Sequence, residues 1–207
     1  MKKTLSLSHV LVYNLKNKRM KKLMMIAAMM VATLTASAQQ ATGSFTLIPK
    51  AGINLANVAG DVSGNSIKVG LVAGAEGMYQ VSPLVGLSAG LLYSMQGCEG
   101  EGSAKANYDF LNIPVLANFY VAPNFALKIG IQPAIPVSAK EKNDKIEIDV
   151  KDAMQSVTFD VPIGASYEYS NFVFDARYNL GIAKINKGNG SVRNSVIQIT
   201  VGYKIPL

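Results

Sequence analysis

The stretch KVGLVAGAEGMYQ, VSPL, VGLSAGLLYSMQ, residues 68–96, decides the fold. In its second arm Val85, Leu87, Ala89, Leu91, Tyr93 and Met95 fall on one side. Gly86, Ser88, Gly90, Ser94 and Gln96 fall on the other, with Leu92 the one apolar exception. The first arm repeats the pattern: Val69, Leu71, Ala73, Ala75 and Tyr79 oppose Lys68, Gly70, Gly74 and Glu76, interrupted at Val72. Period-two alternation marks a strand with one apolar and one polar face. A short turn containing Pro83 joins the arms, so the stretch predicts a hairpin.

The polar face is mostly Gly and Ser with one carboxylate, Glu76, rather than the Lys, Glu and Thr that meet water on a soluble sheet. Small residues suit the crowded inside of a narrow closed barrel. The apolar face then looks outward, where only lipid accepts it. A strand of about twelve residues, rising about 3.3 Å each and tilted about 40°, covers the apolar band of roughly 25 Å found on outer-membrane barrels.

The same alternation recurs in eight segments: 45–56, 68–80, 85–96, 108–120, 125–138, 156–169, 172–183 and 195–205. The connections between them run long, short, long, short, long, short, long. The long ones lie near 57–65, 97–107, 139–155 and 186–192, the short ones near 81–84, 121–124 and 170–171. Short periplasmic turns alternating with long outer loops, with both ends periplasmic, is the plan of an outer-membrane barrel. Tyr79, Phe119, Phe125, Tyr167, Tyr169, Phe172, Phe174 and Tyr203 gather near the short-turn ends, where an aromatic girdle belongs. The fold class predicted is all-β: an eight-stranded antiparallel up-and-down transmembrane β-barrel. Pro114, Pro133, Pro136 and Pro162 fall within its strands and predict bulges or early strand ends. Leu116, Tyr120 and Val173 point inward and are expected to plug the lumen.

Residues 1–38 carry Lys2, Lys3, Lys16, Lys18, Arg19, Lys21 and Lys22, no acid, an apolar run at 23–34 and Ala36-Ser37-Ala38. This is the layout of a cleavable secretory signal peptide. Met20 begins a complete signal by itself, so translation is expected to start there, leaving 39–207 as the barrel domain. The chain's formal charge is +7, and removing the seven leader cations leaves 13 basic against 13 acidic residues. The basic balance therefore gives no support for nucleic-acid binding. The one histidine, His9, leaves with the leader, which excludes histidine-based triads, and a lone cysteine, Cys98, makes neither an internal disulfide nor a zinc site.

Four stretches carry a family resemblance: KAGINLA at 50–56, VGLSAGLLY at 85–93, LNIPVL at 111–116 and ITVGYKI at 199–205. With them the chain resembles the PorT-like outer-membrane β-barrel family, the small "porin family" barrels of Gram-negative bacteria. The resemblance implies outer-membrane residence and the eight-stranded fold, and the word porin does not imply a pore.

Eight charges are assigned inward: Lys50, Glu76, Lys128, Asp160, Glu168, Asp175, Arg177 and Lys204. In a lumen too narrow for bulk water such charges must pair, which makes them a structural salt-bridged plug, with a proton or ion path as the other reading. The longest loop, 139–155, holds Ile146, Ile148 and Val150 in alternation with Glu147, Asp149 and Lys151. Part of it is expected to continue as a strand above the membrane. Lys142, Asp144, Ile146, Glu147, Ile148, Asp149 and Val150 are the candidate partner-binding residues, by edge pairing with a partner strand. The acids Asp144, Glu147, Asp149 and Asp152 match no calcium-loop spacing, and the glycine-rich 97–102 lacks the Lys-Ser/Thr of a phosphate loop.

No catalytic residue, metal site or cofactor is expected. The function expected is non-enzymatic: a closed barrel serving envelope structure, surface adhesion or secretion. Its partners are outer-membrane lipid, the outer-membrane assembly machinery and a protein met through the extracellular loops. The alternatives are a passive small-solute channel and a secreted, soluble lipocalin-like barrel with its apolar face inward.

Overall fold

A computed structural model describes residues 41–62, 64–100, 104–143 and 146–207. The leader, the start at Met20 and Asp144 lie outside the described residues. The strands are β1 (Phe45–Gly60), β2 (Lys68–Ser82), β3 (Val85–Glu99), β4 (Lys105–Asn112), β5 (Val115–Ala122) and β6 (Phe125–Asn143). They continue with β7 (Ile146–Asp149), β8 (Thr158–Tyr169), β9 (Phe172–Gly181), β10 (Val192–Tyr203) and β11 (Ile205–Pro206). Each long strand pairs antiparallel with its chain neighbours, and β1 pairs with β10 from Lys50↔Gly202 to Gly60↔Val192. The sheet closes on itself as an up-and-down barrel, because an open edge would leave backbone groups unpaired in lipid.

Eight barrel positions are filled, as the alternation predicts. The fourth is shared by β4 and β5, since Pro114 has no N–H to give and the ladder breaks there. The break is sealed: Ile113 N–H donates to Pro133 O at 2.9 Å and Gly90 N–H to Pro114 O at 3.0 Å. Pro136 sits at a register shift between β4 and β6, the bulge its missing donor calls for. Pro133 and Pro162 stay within β6 and β8, and those two strands have no residue pairs between Ile129↔Ile163 and Gln132↔Asp160.

The faces follow the sequence. Leu87 is 51% exposed and Ser88 5% exposed, and this opposition recurs along the barrel strands, β4 excepted, where Ala106 to Asp109 are all half-buried. The outer surface carries Leu71, Leu91, Ile129, Ile163, Ile197 and Val201, while the buried set holds all eight of the inward-assigned charges. Tyr79, Phe119, Tyr167, Tyr169, Phe172, Phe174 and Tyr203 all lie outward near the short turns, and the Phe172 and Tyr203 rings meet edge to face at 5.4 Å. The tight turns Pro83–Leu84, Pro123–Asn124 and Ser170–Asn171 separate hairpin strands, with Asn124 and Ser170 at φ of 62° and 54°. A soluble lipocalin-like barrel requires the opposite arrangement, an apolar interior, and the polar interior rules it out.

At the other end the strands outrun the membrane. β6 has 19 residues and turns into β7, so the segment 139–155 is a hairpin and a short 3₁₀ turn (Lys151–Ala153) rather than an irregular loop. Among the described residues no helix is long and apolar enough to cross a membrane.

Replacing Leu87 by Arg puts a cation against lipid and is expected to cost about 2–4 kcal/mol at mid-depth. The Leu87→Arg chain should lose the heat-dependent gel mobility shift of a folded barrel. Ser88→Ala, which forfeits one hydrogen bond from Asn118 at 3.0 Å, should keep it. Equal behaviour of the two variants would reverse the face assignment.

Candidate functional site

The lumen places the eight predicted charges in three groups rather than one plug. Five form a network at the centre. Lys50 Nζ lies 2.9 Å from Glu76 Oε2 and 3.6 Å from Asp175 Oδ2. Arg177 reaches Glu76 Oε1 and Asp175 Oδ1, both at 2.8 Å, and Lys128 Nζ bonds Asp175 Oδ2 at 2.5 Å. The second group is Lys204 with Glu168, paired at 2.6 Å, and Tyr120 Oη donates to Glu168 Oε1 at 2.8 Å. Asp160 stands apart, held by Gln132 Nε2 at 3.1 Å. The division is a matter of depth, since Asp160 lies four residues above Gly164, the residue that faces both Arg177 and Lys128.

The register explains the glycines of the polar face. Lys50 pairs across the sheet with Gly74 and Gly202, Glu76 with Gly90, and Arg177 and Lys128 with Gly164. Each long charged side chain lies over a neighbour without one. A Cβ on Gly90 would come within 2.4 Å of Glu76 Cγ, and one on Gly164 within 2.6 Å of Arg177 Cβ. The glycines make room for the ions, and the ions fill the space that glycines leave.

Apolar clusters bound the lumen at both ends. Toward the short turns Ile48, Met78 and Val173 pack together, and Tyr120 Oη reaches Met78 Sδ at 3.6 Å. Tyr120 and Val173 thus plug the lumen as predicted, and Leu116 is buried with them. Toward the long loops Val58, Phe110, Ala134, Ala139, Met154 and Ile185 form the second cluster. Met154 and Ile185 come from two loops that zip together across the mouth. Met154 bridges Asn186, Gln155 N–H donates to Ile185 O and Lys187 N–H to Ala153 O, each at 2.8 Å. These two residues were invisible to the alternation because they lie outside every alternating segment. Between network and outer cluster runs an amide belt, in which Asn54 Nδ2 and Gln96 Nε2 both donate to Ser94 Oγ at 2.9 and 3.0 Å.

The β6–β7 hairpin lies above the membrane. Lys140 Nζ meets Glu147 Oε1 at 2.7 Å, and that hydrogen bond raises the Lys140 pKa and lowers that of Glu147, so the pair stays ionised through neutral pH. Ile146 and Ile148 are 65% and 57% exposed. Of the candidate partner-binding residues, Lys142, Ile146, Glu147, Ile148, Asp149 and Val150 are described; Val150 is half-buried against the outer cluster, and the others are exposed. No group of three or more Cys, His, Asp or Glu able to hold a metal ion occurs among the described residues.

A closed antiparallel barrel with a lipid-compatible exterior and an ion-paired interior defines a membrane-spanning β-barrel protein. Residues 37–187 match the family described as outer membrane protein beta-barrel domain, and the chain belongs to that family. It is an outer-membrane protein, and lipid is the medium its apolar face meets. No curated protein matches the sequence. Among solved structures the chain is similar to Ail, the attachment invasion locus protein of Yersinia pestis, at 14% identity and a TM-score of 0.50, covering 79% of this chain and 100% of that one. It is also similar to Neisserial surface protein A, at 16% identity and a TM-score of 0.51, covering 78% of this chain and 97% of that one. At these identities the likeness is one of fold.

Arg177→Met is expected to lower stability by about 3–5 kcal/mol, because Glu76 and Asp175 lose the cation that lies 2.8 Å from each of them inside the barrel. Gly90→Ala should destabilise by about 1–3 kcal/mol through overpacking against Glu76, whereas Gly188→Ala, with only Asn186 Nδ2 nearby at 3.9 Å, should change nothing measurable. Urea titration of the folded band on unboiled gels reads all three.

Proposed function

We propose that this chain is a non-enzymatic envelope protein whose barrel is a closed anchor and whose working surface is the extracellular β6–β7 hairpin, meeting a protein partner in adhesion or secretion. One observation carries the reading: apolar clusters lie at both ends of a lumen whose middle is crossed by a five-charge network. A passive solute channel needs a continuous wet path, and a lumen packed with side chains opposes one. The exposed Ile146 and Ile148 then give the hairpin apolar area to offer a partner.

On the stretches 50–56, 85–93, 111–116 and 199–205 we further read the chain as a PorT-like member of its family. Residues 1–38 act as the signal peptide that exports it, and the outer-membrane assembly machinery inserts it.

Two measurements test the reading. In planar bilayers the purified protein should give no stable conductance steps; steady steps would favour the channel. A photocrosslinking residue at position 148 in intact cells should trap a discrete protein adduct, and one at position 87, on the lipid face, should not. Absence of any adduct from 148 would remove the hairpin as the contact surface.

A further inference from the structure

Beyond the membrane, β3, β4, β6 and β7 continue as a four-stranded flap. Its register sets residues in rows: Cys98↔Ala106, Ala106↔Glu141 and Glu141↔Ile148 on one face, and Glu99↔Lys105, Lys105↔Lys142 and Lys142↔Glu147 on the other. The first face is the axial one, since Cys98 and Tyr108 from the same strand faces pack on the outer apolar cluster. The second is charged and turned outward, with ion pairs Lys105–Glu99 at 3.3 Å and Lys140–Glu147 at 2.7 Å.

The axial face carries an open groove of about 430 Å³. Cys98, Ala104 and Ala106 floor it, Ile146 and Ile148 flank it, and the Glu141 carboxylate, which accepts from the Tyr108 hydroxyl at 2.6 Å, also lines it. Its volume exceeds what one side chain fills and suits two. The groove runs to β7, and among the described residues β7 pairs on one side only, with β6.

The hydrogen bonding of that edge can be read residue by residue. Val150 N–H donates to Ala139 O at 2.9 Å. In an antiparallel pair the bonded residues alternate, so Ile148 and Ile146 also face β6 with their backbone groups. The N–H and C=O of Glu147 and Asp149 therefore point away from β6, and among the described residues they meet no backbone partner. Both of these residues are acidic, and both side chains stand on the outward face. A strand laid against β7 would thus find free backbone groups at Glu147 and Asp149, an apolar groove on one side and two carboxylates on the other.

We propose that the flap receives an extended segment of a partner protein with an apolar–basic–apolar alternation. The segment pairs with the free edge of β7, sets its two apolar side chains into the groove beside Ile146 and Ile148, and presents its basic side chain to Glu147 and Asp149. This rests on the reading of the hairpin as the contact surface and adds the chemistry of the partner.

Cys98, the chain's one cysteine, reports on the groove from its floor. Burial, and Glu141 after it, push the thiol above its ordinary range, so mildly alkaline labelling is suitable.

The test uses the full chain in lipid nanodiscs and a fluorescent peptide, Thr-Thr-Ile-Lys-Ile-Thr-Thr. Two controls are the same peptide with Glu for Lys and one with the order Ile-Ile-Lys. The first peptide should bind saturably by fluorescence polarisation and slow maleimide modification of Cys98. The Glu peptide should bind about fivefold more weakly or worse, and the scrambled one should not protect Cys98. Glu147→Thr should reduce binding severalfold, while Glu147→Pro, which removes an edge donor without touching a β6 bond, should reduce it about tenfold or more. Unchanged Cys98 reactivity in both variants without peptide shows that the groove persists. Equal binding of the three peptides, undiminished binding to Glu147→Pro, or binding without protection of Cys98 would overturn the proposal. If no peptide binds while position 148 still crosslinks a protein in cells, strand addition fails and the hairpin reading stands. If both fail, the partner surface lies elsewhere.

Discussion

Five ionised side chains share the middle of a closed barrel, and the rest of the molecule is arranged so that they can. In a low-dielectric interior an unpaired charge costs several kcal/mol. Lys128 reaches Asp175, and Lys50 and Arg177 each reach both Glu76 and Asp175. These contacts come from β1, β2, β6 and β9, which span the barrel, so the network ties distant walls together. It can form only where the opposite strand yields space, and that is why Gly74, Gly90, Gly164 and Gly202 stand across from the ions.

The lipid exterior imposes the complementary rule. Every second residue must be apolar, every backbone group must be bonded, and the sheet must close. Prolines test this rule. Ile113–Pro114 interrupts the fourth strand, but Pro133 O and Gly90 N–H take up the broken ladder, and Pro136 sits at a bulge. The barrel tolerates missing donors where neighbours supply substitutes.

Much of this was legible in the chain, for a physical reason. Lipid on one side and a narrow lumen on the other force period two on every strand, so Leu87 and Ser88, or Asp175 and Phe174, declare their faces locally. The eight lumen charges were legible for the same reason. Their partners were not, because depth in a tilted barrel depends on register: Asp160 lies on the same face as Asp175 yet apart from the network. Met154 and Ile185 escaped because loop residues carry no period. The row Cys98, Ala106, Glu141, Ile148 appears only when three strand registers are combined.

A closed lumen and an active outer surface are two sides of one account, and the lumen is the more directly measurable. Ser88 and Ser94 are buried inside the barrel, and Ser→Cys is nearly isosteric. In a Cys98→Ser background, Ser88→Cys or Ser94→Cys in lipid bilayers can be exposed to a charged thiosulfonate reagent. A sealed, ion-paired interior predicts no modification at either position until the barrel is unfolded. Rapid modification of the folded protein would reveal a water-filled path and contradict the closed barrel.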